Sequence, residues 1–349
     1  MMQRRSFRRP MLDSAVAAFD ARVAPLLRKE PRSAAGRRRV AQENDVRMCA
    51  ALGIVPIEAA TAEHVVPVEG HPSVRVRVYW PSPERAAADA GLPVLLYFYG
   101  GGFTIGGIDW VSWDARFRER ARDAGIIVVA ADYGRAPEVR FPAQPEQCWS
   151  ALEWVFAHAE ELGGSTDRIA IGGASSGGNL AAATTLLNRA RNDRPLRLQL
   201  LENPALDLTI GHADIRGIGP GVPDVIVRRV GRALVRQYLG RRRRTARDPI
   251  ASPLLAPSHE GLPPAWICTS ELDPLRGDGE GYARALSAAG VPVSVVRYVG
   301  QTHTSLGWNH FLPAAAEAHR AVVARLGTLH DGADPDPRSA AEPIRAARR

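Results

Sequence analysis

Short apolar runs recur along this chain, separated by longer stretches of mixed polarity. Pro93–Tyr99 and Ile126–Ala131 carry no charged residue, the pattern of strands covered on both faces. Further strands are predicted at 63–68, 74–80, Arg168–Gly172, Leu196–Leu201, 265–270 and Pro292–Val299, the last ended by Gly300. Between them, 145–162, the stretch after Ser175, 278–289 and 313–327 read as helices. Residues 11–29 read as one amphipathic helix, with Met11, Leu12, Val16, Phe19, Val23, Leu26 and Leu27 near helical spacing. No element is assigned to 104–125. Strand–helix alternation of this kind predicts an α/β fold with a mostly parallel sheet.

The alternation breaks once. Residues 207–247 hold Gly211, Gly217, Gly219-Pro220-Gly221 and a helix at 224–239, which reads as an insertion between two core strands. The expected organisation is therefore N-terminal helices over 1–57, core over 58–206, insertion over 207–247 and core again over 248–329. Residues 1–10 and the charged Pro- and Ala-rich tail 330–349 are expected to be disordered.

Candidate chemistry lies at the ends of these strands. Gly173-Ala174-Ser175-Ser176-Gly177 is a G-x-S-x-G pentapeptide between a strand and an Ala/Leu-rich helix. A serine on so sharp a turn points outward, and glycines flank it because a side chain there would meet the crossing backbone. Its hydroxyl is a poor nucleophile until an imidazole can take the proton, and the imidazole needs a carboxylate to fix its tautomer. Downstream, Asp273 follows one strand and His303 follows another, so the order is Ser, Asp, His at one edge of the sheet. His310 is a rival base, further from the strand end. Upstream, Gly100-Gly101-Gly102 follows a strand. The bare amides of Gly100 and Gly101, with that of Ser176, are candidates for an oxyanion hole.

With these residues in place, the chain resembles the hormone-sensitive lipase family of α/β-hydrolases, including its bacterial family IV esterases, from about residue 11 to about residue 327. Tyr99-Gly100-Gly101-Gly102-Phe103 matches the family's His-Gly-Gly-Gly-Phe. Asp132-Tyr133-Gly134-Arg135-Ala136-Pro137-Glu138 matches Asp-Tyr-Arg-Leu-Ala-Pro-Glu loosely. Gly173–Leu180 matches Gly-Asp-Ser-Ala-Gly-Gly-Asn-Leu, and Asp273–Gly277 matches Asp-Pro-Leu-Arg-Asp. The resemblance implies an eight-stranded α/β-hydrolase fold with a helical cap. It implies a serine carboxylesterase for small short-acyl esters, with Ser175 as nucleophile, His303 as base and Asp273 as acid. Gly100, Gly101 and Ser176 would form the oxyanion hole. No cofactor or metal is implied, and homodimers through the last strand and helix are common in the family. Departures from the family pattern lie next to the candidate site residues. Tyr99 replaces the histidine before the glycines, Ala174 the aspartate before the nucleophile, and Thr304-Ser305 the small and aromatic residues after the base. The same triad would serve amide hydrolysis of a small metabolite. A ligand-binding or dehydratase-like use of the fold is the other alternative; His303 argues against the first and Ser175 against the second.

Composition narrows the partners. The chain has 349 residues and a net charge of +8, with 45 Lys and Arg against 37 Asp and Glu, and Lys29 is its only lysine. The runs Arg37–Arg39 and Arg241–Arg244 are short and lack interleaved aromatics, so they read as solvated surface, not a nucleic-acid site. Gln3-Arg4-Arg5-Ser6-Phe7 resembles a twin-arginine signal, but Asp13, Asp20 and Arg22 interrupt the apolar stretch that would have to follow. No run is apolar enough to span a membrane. Cys49, Cys148 and Cys268 are scattered without metal-ligand spacing and suit buried thiols. The expected location is the cytoplasm.

Overall fold

A computed structural model describes residues 11–29, 31, 33–86, 91–214, 224–240 and 243–331. The expected disorder of 1–10 and of 332–349 concerns residues outside this set, as does Arg241-Arg242 of the second arginine run. Among the described residues, eight strands form one sheet: β1 (Thr61–Val68), β2 (His71–Tyr79), β3 (Leu92–Phe98), β4 (Ile127–Asp132), β5 (Gly164–Ala174), β6 (Leu198–Glu202), β7 (Ala265–Leu272) and β8 (Val293–Thr302). Their order is β1-β2-β4-β3-β5-β6-β7-β8. The pairs β1/β2 and β2/β4 are antiparallel; every later pair is parallel. This is the α/β-hydrolase fold. The uncharged runs became the central strands: every residue of β3 is buried, and β4 is buried up to Asp132.

The helices are α1 (Ser14–Val23), α2 (Ala34–Leu52), a single turn α3 (Pro83–Ala86), α4 (Val111–Ala124), α5 (Ala143–His158), α6 (Ser176–Arg191), α7 (Asp224–Leu239), α8 (Arg276–Ala288) and α9 (Pro313–Gly327). Helix α6 packs on β5 and against α5, whereas α4 packs on β4 and against α9. The helix expected over 11–29 is shorter. Asp13 caps α1 by accepting from Ala15 N at 2.8 Å, and the chain tightens into a 3₁₀ turn at Ala24–Leu26. Pro25 sits in that turn, where it can neither donate to nor fit inside a continuing α-helix. Val16, Phe19 and Val23 then pack against Leu312 and Ala315, beside the segment that follows β8.

Three expectations are corrected. Gly300 does not end a strand: β8 continues to Thr302, and Gly300, at φ 70°, marks a register shift opposite Ser270–Leu272. The tail does not loosen at His330, whose Nε2 lies 2.9 Å from the carbonyl oxygen of Ala124. The run Arg37–Arg39 is not simply solvated. It lies on α2, where Arg38 Nη1 donates to Ala136 O at 3.1 Å and Arg37 Nη2 to Gln237 Oε1 at 2.6 Å, tying α2 to the core and to α7.

Helix α4 was not foreseen. Its inward face carries Glu119 and Arg120 together with Phe117 and Ala121, so charge interrupts the apolar stripe that would have revealed it. Arg120, 2% exposed, is paired with Glu202 at 3.0 Å and lies over the Tyr97 ring at 4.7 Å. A buried arginine keeps its charge only with such partners.

Candidate active site

Strand β5 is central in the sheet, and the chain turns from it into α6 at Ser175. This residue has φ 54°, ψ −116°, a conformation costly for a non-glycine residue and maintained by its surroundings. Ser175 N donates to Glu202 O at 2.9 Å, and Ser175 O accepts from Asn179 N and Ala205 N, each at 3.1 Å. The flanking glycines are required by backbone contact. A β-carbon on Gly173 would lie 2.2 Å from Gly177 O, and one on Gly177 would lie 2.0 Å from Phe98 O. The helix thus starts directly against the end of β3.

Asp273 follows β7 and His303 follows β8, at the same edge of the sheet as Ser175. His303 Nδ1 is 2.7 Å from Asp273 Oδ2, and His303 Nε2 is 2.9 Å from Ser175 Oγ. Asp273 is buried, and its other oxygen accepts from Leu275 N at 2.9 Å. Burial of the His303 ring pulls its pKa down. The Asp273 carboxylate, by charge and by hydrogen bond, outweighs this and leaves it above the ordinary 6.5. The side chain keeps 33% of its surface open, the route by which a substrate can reach Nε2. An imidazole so placed can take a proton from Ser175 and hold it against Asp273.

The glycine loop lies directly over the nucleophile. A β-carbon on Gly100 would approach Ser175 Cβ to 3.3 Å, and Gly101 has φ 151°, with Ile105 O 2.1 Å from where its β-carbon would be. Ser176 is the first residue of α6, so its N–H belongs to the helix turn that lacks intrahelical acceptors. His310 is held elsewhere, with Nε2 2.7 Å from Glu119 Oε1. Among the described residues no group of three His, Cys, Asp or Glu side chains is placed to hold a metal ion. Cys49, Cys148 and Cys268 are buried free thiols.

The family model described as the alpha/beta hydrolase fold matches residues 95–306, a span that includes Gly100, Gly101, Ser175, Ser176, Asp273 and His303. The chain belongs to this family. Within it the hydrolase groups with the hormone-sensitive-lipase-like carboxylic ester hydrolases. It is 38% identical over 279 residues to the carboxylesterase NlhH of Mycobacterium tuberculosis, covering 78% of this chain and 84% of that one. It is 34% identical over 261 residues to the ethyl acetate hydrolase of Pseudomonas putida, covering 74% and 79%. The structure of EstE1, a thermostable carboxylesterase from a metagenomic library, superposes with a TM-score of 0.72 at 35% identity, covering 85% of the hydrolase and 97% of EstE1.

Several residues around the hydrolase's site went unread in the sequence. Asn203, buried just past β6, donates from Nδ2 to His303 O at 3.0 Å and to Ser270 Oγ at 3.1 Å. Its φ of 46° is one that asparagine tolerates better than most residues. Tyr97 reaches across Gly172 to donate to Glu202 behind the Ser175 turn. Phe103, at φ 61°, stacks on Tyr238 of α7 with ring centroids 3.8 Å apart. Only the glycine triplet before Phe103 and the Asn-Pro pair at 203–204 hinted at strained turns in these places.

Proposed function

We propose that this carboxylic ester hydrolase cleaves small short-acyl esters through an acyl-enzyme formed on Ser175. The observation that carries the reading is the unbroken line Asp273 Oδ2–His303 Nδ1 and His303 Nε2–Ser175 Oγ, at 2.7 and 2.9 Å. Ser175 Oγ bonds to the ester carbon while its proton passes to His303 Nε2. The tetrahedral oxyanion is met by the amides of Gly100, Gly101 and Ser176. The ester C–O bond breaks, and the leaving alcohol takes the proton from His303. Water then attacks the acyl carbon, giving its proton to His303. Ser175 Oγ recovers that proton as the acid departs. Asp273 holds the imidazole in the tautomer this needs and stabilises its charged form.

The substrate class is supported by the kinship with an ethyl acetate hydrolase. Residues 1–57 and 207–247 are assigned to the cap. Leu234 of α7 supports this, lying 3.6 Å from where a β-carbon on Gly102 would be, above the glycine loop. A cytoplasmic location is supported by the three free, buried thiols. No helix among the described residues is long and apolar enough to cross a membrane. A homodimer through β8 is supported by its place at the sheet edge and by Val295 and Val299, exposed there. Light scattering would show twice the monomer mass.

The deciding experiment is fluorophosphonate labelling followed by mass spectrometry, with kcat/KM for p-nitrophenyl acetate, butyrate and octanoate. An adduct on Ser175, lost with activity in Ser175→Ala, and a kcat/KM that falls with chain length are expected. A folded enzyme with no adduct on Ser175 overturns the assignment of the nucleophile. A series that rises toward octanoate overturns the acyl preference, and faster turnover of matched anilides would make the protein an amidase.

A further inference from the structure

Two tyrosines stand beneath the glycine loop, and neither belongs to the Ser175–His303–Asp273 line. Tyr99 is one of the residues that depart from the family pattern, and Tyr133 follows β4. Both are fully buried. Their rings stack at 4.4 Å between centroids, 14° from parallel. They are joined crosswise: Tyr133 Oη donates to the Tyr99 carbonyl at 2.8 Å, and Tyr99 Oη lies 3.1 Å from the Tyr133 carbonyl. Tyr99 Oη is also 3.1 Å from Asp132 Oδ1. Arg135 Nη1 donates to Gly106 O at 2.7 Å, at the far end of the loop.

The Tyr99 carbonyl matters because of what shares its peptide plane. Cis peptides among the described residues occur only before Pro137 and Pro142, so the Tyr99–Gly100 bond is trans and its N–H points opposite to its C=O. That N–H belongs to Gly100. A hydrogen bond on the carbonyl fixes the tilt of the plane and hence the direction of the amide. It also draws electron density toward the carbonyl oxygen, which makes the N–H a better donor. A phenol has one proton, and the 2.8 Å contact places it on Tyr99 O. Ser176 Oγ, 3.3 Å from Tyr133 Oη, is then the donor in that contact. The groups form one directed chain: Ser176 hydroxyl, Tyr133 hydroxyl, Tyr99 carbonyl, Gly100 amide. Burial pushes the Tyr133 phenol well above its ordinary pKa, so it keeps its proton throughout the working range.

We propose that Tyr133 is a positioning residue of the oxyanion hole, acting through the Tyr99–Gly100 peptide. The proposal rests on the reading of Gly100 as an oxyanion donor. Tyr133 does not touch the substrate; it aims and polarises an amide that does. Its effect therefore belongs to the transition state and not to substrate binding.

The test is Tyr133→Phe, which keeps the stacked ring and removes only the hydroxyl. Measurements are kcat and KM for p-nitrophenyl acetate across pH, the inhibition constant of a trifluoromethyl ketone, and active-site concentration by fluorophosphonate burst. We expect kcat per active site to fall about tenfold, less than the loss of a direct donor, with KM within about twofold of wild type. Affinity for the ketone, which places an oxyanion in the hole, should fall in step with kcat. The acid limb of the pH profile should not move. A kcat per active site within about twofold of wild type, or a loss confined to KM, overturns the proposal, as does ketone affinity that does not follow kcat. Should Tyr133→Phe fail to fold, Ser176→Ala decides, because it keeps the Ser176 amide and removes only the first hydroxyl of the chain. There we expect a loss of about threefold, shared by kcat and ketone affinity; no change overturns the proposal. Wild-type enzyme that takes no label on Ser175 would instead remove the underlying reading of the site. Labelled wild type with an indifferent Tyr133→Phe removes only this proposal.

Discussion

The side-chain amide of Asn203 donates to the backbone carbonyl of His303 at 3.0 Å. The residue before it, Glu202, accepts the backbone N–H of Ser175 at 2.9 Å. Two consecutive residues at the end of β6 therefore hold both the serine turn and the histidine loop, and so fix the separation of Ser175 Oγ and His303 Nε2. Asn203→Gly should test this, because glycine accepts the φ of 46° without strain while the amide is lost. We expect kcat to fall about tenfold, from misplacement of the base, and stability to fall by about 1–2 kcal/mol from the lost buried hydrogen bonds. Steady-state kinetics and thermal denaturation check it. An unchanged kcat would mean that the 3.0 Å hydrogen bond from Thr302 N to Ser305 Oγ and the Asp273 contact are enough to hold the loop.

What could be read in advance followed from how directly each element answers to hydrophobic pattern. All eight strands were found because each shows as a short run of apolar or alternating residues, and β3 and β4 up to Asp132 are uncharged. The serine turn was legible because two glycines must stand where Gly177 meets Phe98 O and Gly173 meets Gly177 O. Asp273 and His303 were legible because each directly follows a strand. What stayed hidden depends on pairing between distant residues. Arg120 and Glu119 mask α4 until Glu202 and His310 are known to face them. Asn203 looks like any polar turn residue until His303, far along the chain, folds onto it.

His303 sets the pH response. Its pKa lies above 6.5 because Asp273 outweighs the effect of burial. As a base it works unprotonated, so kcat/KM should rise through a limb centred above pH 6.5. In Asp273→Asn the raising influence is gone and burial remains, so the limb should move to lower pH. The wrong tautomer should also lower kcat by about 10⁴-fold. Stability carries the opposite sign. A raised folded pKa means that protonated His303 favours the fold. This contribution is complete below the unfolded value near 6.5 and is lost as pH rises through the folded value. Urea denaturation at stepped pH should show Asp273→Asn losing that part of the slope.

The glycines beside Ser175 should differ sharply from one at the end of α9. In Gly177→Ala the added carbon falls 2.0 Å from Phe98 O and 2.4 Å from Tyr99 O, both backbone atoms that cannot yield alone. We expect a loss of about 3 kcal/mol or more, and little soluble activity. Gly327 has no neighbour within 4 Å of the added carbon and is the last residue of α9. Gly327→Ala should stabilise by up to about 1 kcal/mol, since it narrows the unfolded ensemble at a helical position. Denaturant midpoints for the two variants make the comparison.

Phe103 and Tyr238 couple the glycine loop to α7. Their rings are 4° from parallel, and Tyr238 O accepts from Phe141 N at 3.2 Å, so the end of the helix is fastened to the core on both sides. The stacking uses the ring of Tyr238 and not its hydroxyl. Tyr238 Oη is buried without a hydrogen-bond partner among the described residues. Removing an unpartnered buried hydroxyl relieves a desolvation cost, whereas removing the ring opens a cavity against Phe103. Tyr238→Phe should therefore keep full activity and be equal in stability or better by about 1 kcal/mol. Tyr238→Ala should lose about 3–5 kcal/mol. In the folded fraction kcat should fall as well, because Phe103 then loses the stacked ring that braces its strained backbone, and Gly100 to Gly102 precede it directly. The pair of variants separates the two halves of the side chain. Tyr238→Phe as damaging as Tyr238→Ala would mean that the hydroxyl has a partner outside the described residues, and the coupling would then rest on that contact and not on the stacked rings.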